Sequence, residues 1–116
     1  MENIMNYVPD WAKELNCAIT VCDTEGTIIY MNDRAKETFA SYGDLVGKNL
    51  MGCHNERSQE IIHKLLETSG TNCYTISKKG LKKMIYQTVW KKDGGVAGLV
   101  EFSIVLPEDM PHYDRG

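Results

Sequence analysis

The chain has 116 residues, 42% of them hydrophobic, 25% charged and 9% aromatic. That apolar share is enough to close one core of ordinary domain size and excludes an intrinsically disordered chain. Thirteen basic against sixteen acidic residues leave a net charge of −3, too small for a general attraction to nucleic acid or to an acidic membrane. No apolar run approaches the roughly 20 residues that a membrane span needs, and the start, Met1-Glu2-Asn3-Ile4-Met5-Asn6, lacks the basic-then-apolar layout of a secretory signal. A cytoplasmic location is therefore expected, with Cys17, Cys22, Cys53 and Cys73 reduced.

In chain order, the first packed element expected is a short helix over 8–15. Pro9 suits its first turn, and Val8, Trp11, Ala12 and Leu15 share one face. Strands over 18–22 and 27–31 follow, rich in Ile, Val, Thr and Tyr. Asp23-Thr24-Glu25-Gly26 joins them, with Gly26 free to take the positive φ of a tight reversal. Asn32 is the expected N-cap of a short helix over 33–40, whose Ala35 and Phe39 face the core. Residues 41–52 read as irregular. A longer helix spans 56–69, with Asn55 as N-cap, Gly70 at the C′ position, and Ile61, Ile62, Leu65 and Leu66 as its buried stripe. Strands over 72–77, 81–91 and 96–106 close the chain, joined by turns at Lys78-Lys79-Gly80 and Lys92-Asp93-Gly94-Gly95. The ends, 1–7 and 108–116, read as loose or partner-dependent. An α+β architecture follows, a five-stranded antiparallel sheet with helices gathered on one face.

The segments Ala18-Ile19-Thr20-Val21-Cys22-Asp23-Thr24-Glu25-Gly26-Thr27-Ile28-Ile29-Tyr30-Met31-Asn32, Ala35, Asp44-Leu45-Val46-Gly47-Lys48 and Lys92-Asp93-Gly94-Gly95-Val96-Ala97-Gly98, in this order, resemble a PAS domain over 8–106. The resemblance implies strand order 2-1-5-4-3 and a pocket between the sheet's concave face and the helices. It extends to a subgroup with a Cys-His pair before the long helix, here Gly52-Cys53-His54 followed by Ser58, and with a tail like Leu106-Pro107-Glu108-Asp109-Met110-Pro111. It departs from the family at Thr88, where Pro is common, and at Phe102-Ser103-Ile104, which lacks the Asp that often ends the last strand.

Strand alternation supplies a pocket list. Met84, Tyr86 and Thr88 are expected inward on the fourth strand and Val100, Phe102 and Ile104 on the fifth, with Ile85, Gln87, Val89, Glu101 and Ser103 on the other side. A slip of one residue would invert this list. With Phe39 and with Ile62 and Leu65 of the long helix, Met84, Tyr86, Val100 and Phe102 make the expected ligand-binding set, joined by Cys53 and His54. His54 can donate, accept or bind metal and Cys53 offers a soft sulfur. The plainer reading has His54 helping to cap the helix and Cys53 as a small core hydrophobe.

Haem and flavin are both open as cofactors and neither is favoured. His63 falls off the apolar stripe of the long helix, so a haem iron would have to take His54. The flavin-linked light sensors that share the PAS fold use an Asn-Cys-Arg-type motif, whereas His54 and Asn55 follow Cys53 here. No Cys-x-x-Cys supports a zinc site, and Cys17 and Cys22 would point to opposite faces of one strand. Lys78, Lys79, Lys82, Lys83, Lys91 and Lys92 lie within 15 residues holding no acid and read as solvated hairpin ends that discourage edge pairing.

The expectation is a single PAS-like domain over 1–116, a non-enzymatic sensory or signalling module that holds a small ligand or redox cofactor. Its expected partners are a second copy, met through the N-terminal helix and the convex sheet face, and a downstream signalling protein or output domain, with no direct nucleic-acid or membrane contact. Lacking an output domain of its own, it is expected to be an excised sensor or a small protein acting through a partner. The rival readings are a pure dimerisation module with a filled core, and a small acid–base enzyme with His54 as base and Tyr86 as donor.

Overall fold

A computed structural model describes residues 10–50 and 56–116. Its elements are α1 (Asp10–Lys13), β1 (Ala18–Asp23), β2 (Ile28–Met31), α2 (Asp33–Thr38), a 3-10 turn (Ala40–Tyr42), α3 (Glu56–Thr68), β3 (Thr71–Lys78), β4 (Leu81–Lys92) and β5 (Gly95–Val105). The five strands form one antiparallel sheet in the order β2-β1-β5-β4-β3, as the resemblance implied. Thus the first hairpin is spliced beside the last strand, and the chain must cross the sheet between β2 and β3. α2, the 3-10 turn and α3 make that crossing.

The first hairpin turns on Asp23. One of its carboxylate oxygens accepts from the N–H groups of Glu25 and Thr27, at 2.9 and 3.0 Å, a side-chain mimic of a backbone turn. Gly26 follows with φ 87°. The outer edge of β2 is then covered by the loop after α2: Ile28 N donates to Lys48 O, Gly47 N to Ile28 O and Leu50 N to Gly26 O. This pairing satisfies an edge that would otherwise template association.

Asn32 ties the first third together and is fully buried. Its Oδ1 accepts from Ala35 N, capping α2, and from Ile19 N on β1. Its Nδ2 donates to the carbonyls of Ala12 and Cys17. One amide thus uses all four of its hydrogen-bonding positions to join α1, the approach to β1, β1 itself and α2.

α1 is a single turn and packs on the outer face, where Ala12 joins Ile19, Val21 and Tyr30, with Trp90, Val100 and Phe102 against them. Of the face expected to group Trp11, Ala12 and Leu15, only Ala12 is buried; Trp11 and Leu15 are 63% and 37% exposed. The small Ala12 is what lets the turn approach closely enough for its carbonyl to reach Asn32. On the inner face, Ala35 packs with Ala18, Ile28 and Met31, and α3 sends Ile62 and Leu65 against Cys22 and Leu99. Ile61 is 37% exposed, so the buried stripe of α3 is narrower than its sequence suggests, and His63 is exposed as expected.

The end of α3 also differs by one residue. Ser69, not Gly70, takes the left-handed conformation (φ 54°), and Gly70 N donates to Leu65 O at 3.0 Å. Gly98 has a different duty. The Trp90 indole crosses it to donate to Cys22 O at 3.0 Å, and a Cβ on Gly98 would strike that carbonyl and lie 2.7 Å from Trp90 Nε1.

Candidate functional site

Two hollows open between the sheet's inner face and the helical layer. The larger, about 530 Å³, is walled by Phe39, Tyr42, Leu45 and Leu50 from the crossing segment and by Thr20, Ile28, Met31, Tyr74, Ile76, Ile85 and Glu101 from β1–β5. Its volume lies within the range of small-molecule sites. The smaller, about 340 Å³, lies along α3 between Arg57, Ser58, Ile61 and Ile62 and the strand residues Asn72, Tyr74 and Gln87. Tyr74 belongs to both walls.

A polar ladder crosses three strands on the floor of these hollows. Cross-strand pairing sets Asn72 opposite Gln87 and Gln87 opposite Glu101. Asn72 Nδ2 donates to Gln87 Oε1 at 3.0 Å, and Gln87 Nε2 donates to Glu101 Oε1 at 2.9 Å. Gln87 is only 5% exposed, so its amide has to be satisfied internally, and the ladder does so. The Asn72 bond also decides which end of the Gln87 amide faces Glu101. Burial and the negative Glu101 push the Tyr74 hydroxyl pKa up, which keeps it a neutral O–H beside the ladder.

This geometry corrects the strand facing expected from sequence. Ile85, Gln87, Leu99 and Glu101 face the helices, and the expected inward residues Met84, Tyr86, Val100 and Phe102 lie on the outer face. The pairs Ile19–Phe102, Val21–Val100 and Tyr86–Phe102 belong to that outer set, and Val100 and Phe102 pack with α1's Ala12 cluster. The cause is a one-residue inversion. Both faces carry apolar side chains, and Gln87 and Glu101 look solvent-facing in sequence because each is polar, yet they hydrogen-bond to one another across the strand pair.

Of the remaining expected residues, Phe39 walls the larger hollow and Ile62 the smaller. Leu65 is 7% exposed and fills the space between α3 and β5 with Cys22 and Leu99. Where α3 meets β1 and β5 the space is therefore filled, and the larger hollow sits nearer α2 and the 3-10 turn. Cys53 and His54 lie outside the described residues. Among the described residues no three His, Cys, Asp or Glu side chains converge as metal ligands, and Cys17, Cys22 and Cys73 are free thiols. Burial pushes the Cys22 pKa up to about 11, which makes it a packing residue rather than a nucleophile at neutral pH.

The sequence reading missed Tyr42, Leu45, Tyr74, Gln87 and Glu101. A signal for the last two was present: a Gln and a Glu on adjacent long strands of a predicted hairpin, within otherwise largely apolar stretches, are a cross-strand pair before they are two solvated side chains.

No protein-family model matches the chain, and no curated protein matches its sequence. Solved structures do match. The PAS domain of BvgS from Bordetella pertussis is 19% identical, with 92% of this chain and 89% of that one covered, at a TM-score of 0.62. The PAS domain of the histidine kinase ThkA is 16% identical over 76% of this chain and 97% of that one, TM-score 0.63. VqmA of Vibrio cholerae, in a structure with DPO bound, is 15% identical over 83% of this chain and 54% of that one, TM-score 0.64. The chain has a PAS-like fold, a five-stranded antiparallel sheet in the order β2-β1-β5-β4-β3 with a few helices.

Proposed function

We propose that the chain is a non-enzymatic sensory module that holds a small ligand in the larger inner-face hollow. The observation that carries this reading is the hollow itself: about 530 Å³, mostly apolar walls, and Glu101, the end of an oriented polar ladder, on its floor. That combination is the usual composition of a ligand site, apolar surface for affinity and a few fixed polar groups for orientation. The likeness to VqmA, which binds DPO, supports it. Phe39 and Ile62 keep their proposed roles as wall residues, with Cys53 and His54 proposed as further contacts.

Signalling then requires that the ligand bind two arrangements of the crossing segment against the sheet with different affinity, since equal affinity shifts nothing. The outer face is the proposed output. Met84, Val100, Phe102 and Ile104 are only partly buried there, and Tyr86 is 37% exposed. With the exposed Trp11 of α1, they suit a second copy of the chain, and a downstream signalling protein or output domain would read the assembly. A cytoplasmic setting suits its free thiols.

Protein purified from cells should carry a bound molecule visible by native mass spectrometry and an absorbance spectrum, or take one up in a fragment screen read by NMR at Leu45 and Ile85. Filling the hollow by Ile85→Trp should abolish uptake while the fold persists. An unshifted mass with no fragment bound at those residues would replace this reading by a dimerisation module with a closed core. A Soret or flavin band would identify a cofactor directly.

A further inference from the structure

Glu101 is the one charged side chain among the described residues that wall the larger hollow. Gln87 Nε2 occupies its Oε1. Among the described residues no donor reaches its second oxygen and no cation pairs with the carboxylate. The ladder from Asn72 through Gln87 holds it in one orientation, so the hollow contains a preset acceptor bearing negative charge, surrounded by Phe39, Leu45, Leu50, Ile76 and Ile85.

A half-buried carboxylate facing mostly apolar walls, with no counter-charge among the described residues, attracts a ligand that supplies one. We infer that the hollow selects a compact, largely apolar molecule carrying a protonated amine, with the ammonium on Glu101 and the apolar body against the crossing segment. This rests on the ligand-binding reading above and deepens it. The smaller hollow is lined by a cation, Arg57, which is exposed at the start of α3. An anionic ligand drawn to Arg57 is thus the alternative that the test must separate.

Three probes of nearly equal shape decide it: tryptamine, tryptophol and indole-3-acetate, which present an ammonium, a hydroxyl and a carboxylate on the same ring system. Affinities are read from NMR titrations of the full chain. Charge-assisted hydrogen bonds are roughly twice as strong as neutral ones, so tryptamine should bind about tenfold or more tighter than tryptophol, and indole-3-acetate weakest. Glu101→Gln keeps the acceptor for Gln87 and should bring tryptamine down to the level of tryptophol. Equal affinities in the wild type, preference for the carboxylate, or an amine preference that survives Glu101→Gln would overturn the inference and leave the ligand site standing. Absence of shifts at Leu45 and Ile85 with all three probes would overturn both. The wild-type ranking needs no variant, so a Glu101→Gln protein that failed to fold would still leave the inference decided.

Discussion

Asn32 and Cys22 show how much a single buried side chain decides in a core this small. The Asn32 amide makes four hydrogen bonds to three backbone segments and one helix start. Removing it strands donors and acceptors that water cannot reach, and such groups cost about 1–3 kcal/mol each. Asn32→Ala should therefore lower stability by about 2–4 kcal/mol in urea unfolding; a loss under about 1 kcal/mol would mean the orphaned groups find other partners. Cys22 governs behaviour at high pH. Burial raises its pKa from 9.0 to about 11, so above pH 9 the thiol ionises in the unfolded chain before it does in the folded one. The folded state then binds more protons, and stability falls as pH rises through that window, on the order of 1 kcal/mol per pH unit. Burial raises Tyr30 and Tyr74 in the same direction. The share belonging to Cys22 is the difference between wild type and Cys22→Ala across pH 8.5–11; parallel curves would remove it.

The elements themselves differ in how far local chemistry determines them. The first hairpin and α2 are set by neighbours in the chain, Asp23 accepting from the turn and Asn32 capping the helix. α3 is amphipathic, but its ending is a compromise. A serine occupies the left-handed position, and the glycine next to it is crowded by Thr68 Oγ1 and Leu65 Cδ2, at 3.0 and 3.2 Å from a notional Cβ. Ser69→Gly should therefore stabilise the protein by about 0.5–1 kcal/mol, read as a raised melting temperature. An unchanged or lower value would show that the Ser69 side chain compensates the strain. The long strands β4 and β5 are unambiguous as strands and ambiguous as surfaces, because period-2 alternation defines two faces without saying which is covered.

At the level of the molecule, the sheet separates the proposed ligand side from the proposed contact side. The hollow and its Glu101 ladder lie beneath the crossing segment, and the half-exposed apolar set around Tyr86 lies on the opposite face. The two should be separable by mutation. If the outer face pairs with a second copy, Tyr86→Lys combined with Trp11→Lys should convert a dimer to a monomer in sedimentation velocity while leaving the tryptamine titration unchanged. A wild-type protein that sediments as a monomer at tens of micromolar, as in about 10–100 times a typical micromolar Kd, would remove the self-association.

Strand positions, the capped α2 and the long helix were legible in the sequence because each rests on local signals, turn residues, caps and periodicity over short windows, whereas the strand order was implied only by the resemblance to PAS domains. The facing of β4 and β5 was not. Met84, Tyr86, Val100 and Phe102 are as apolar as an inner face requires, and only long-range packing, α3 against Cys22 and Leu99 and Ala12 against Ile19 and Val21, chose between the two registers. Polar residues decided the site for the same reason. Gln87 and Glu101 are tolerated inside because they meet across a strand pair, a partnership that a separation of 14 residues along the chain conceals and that only the folded sheet creates.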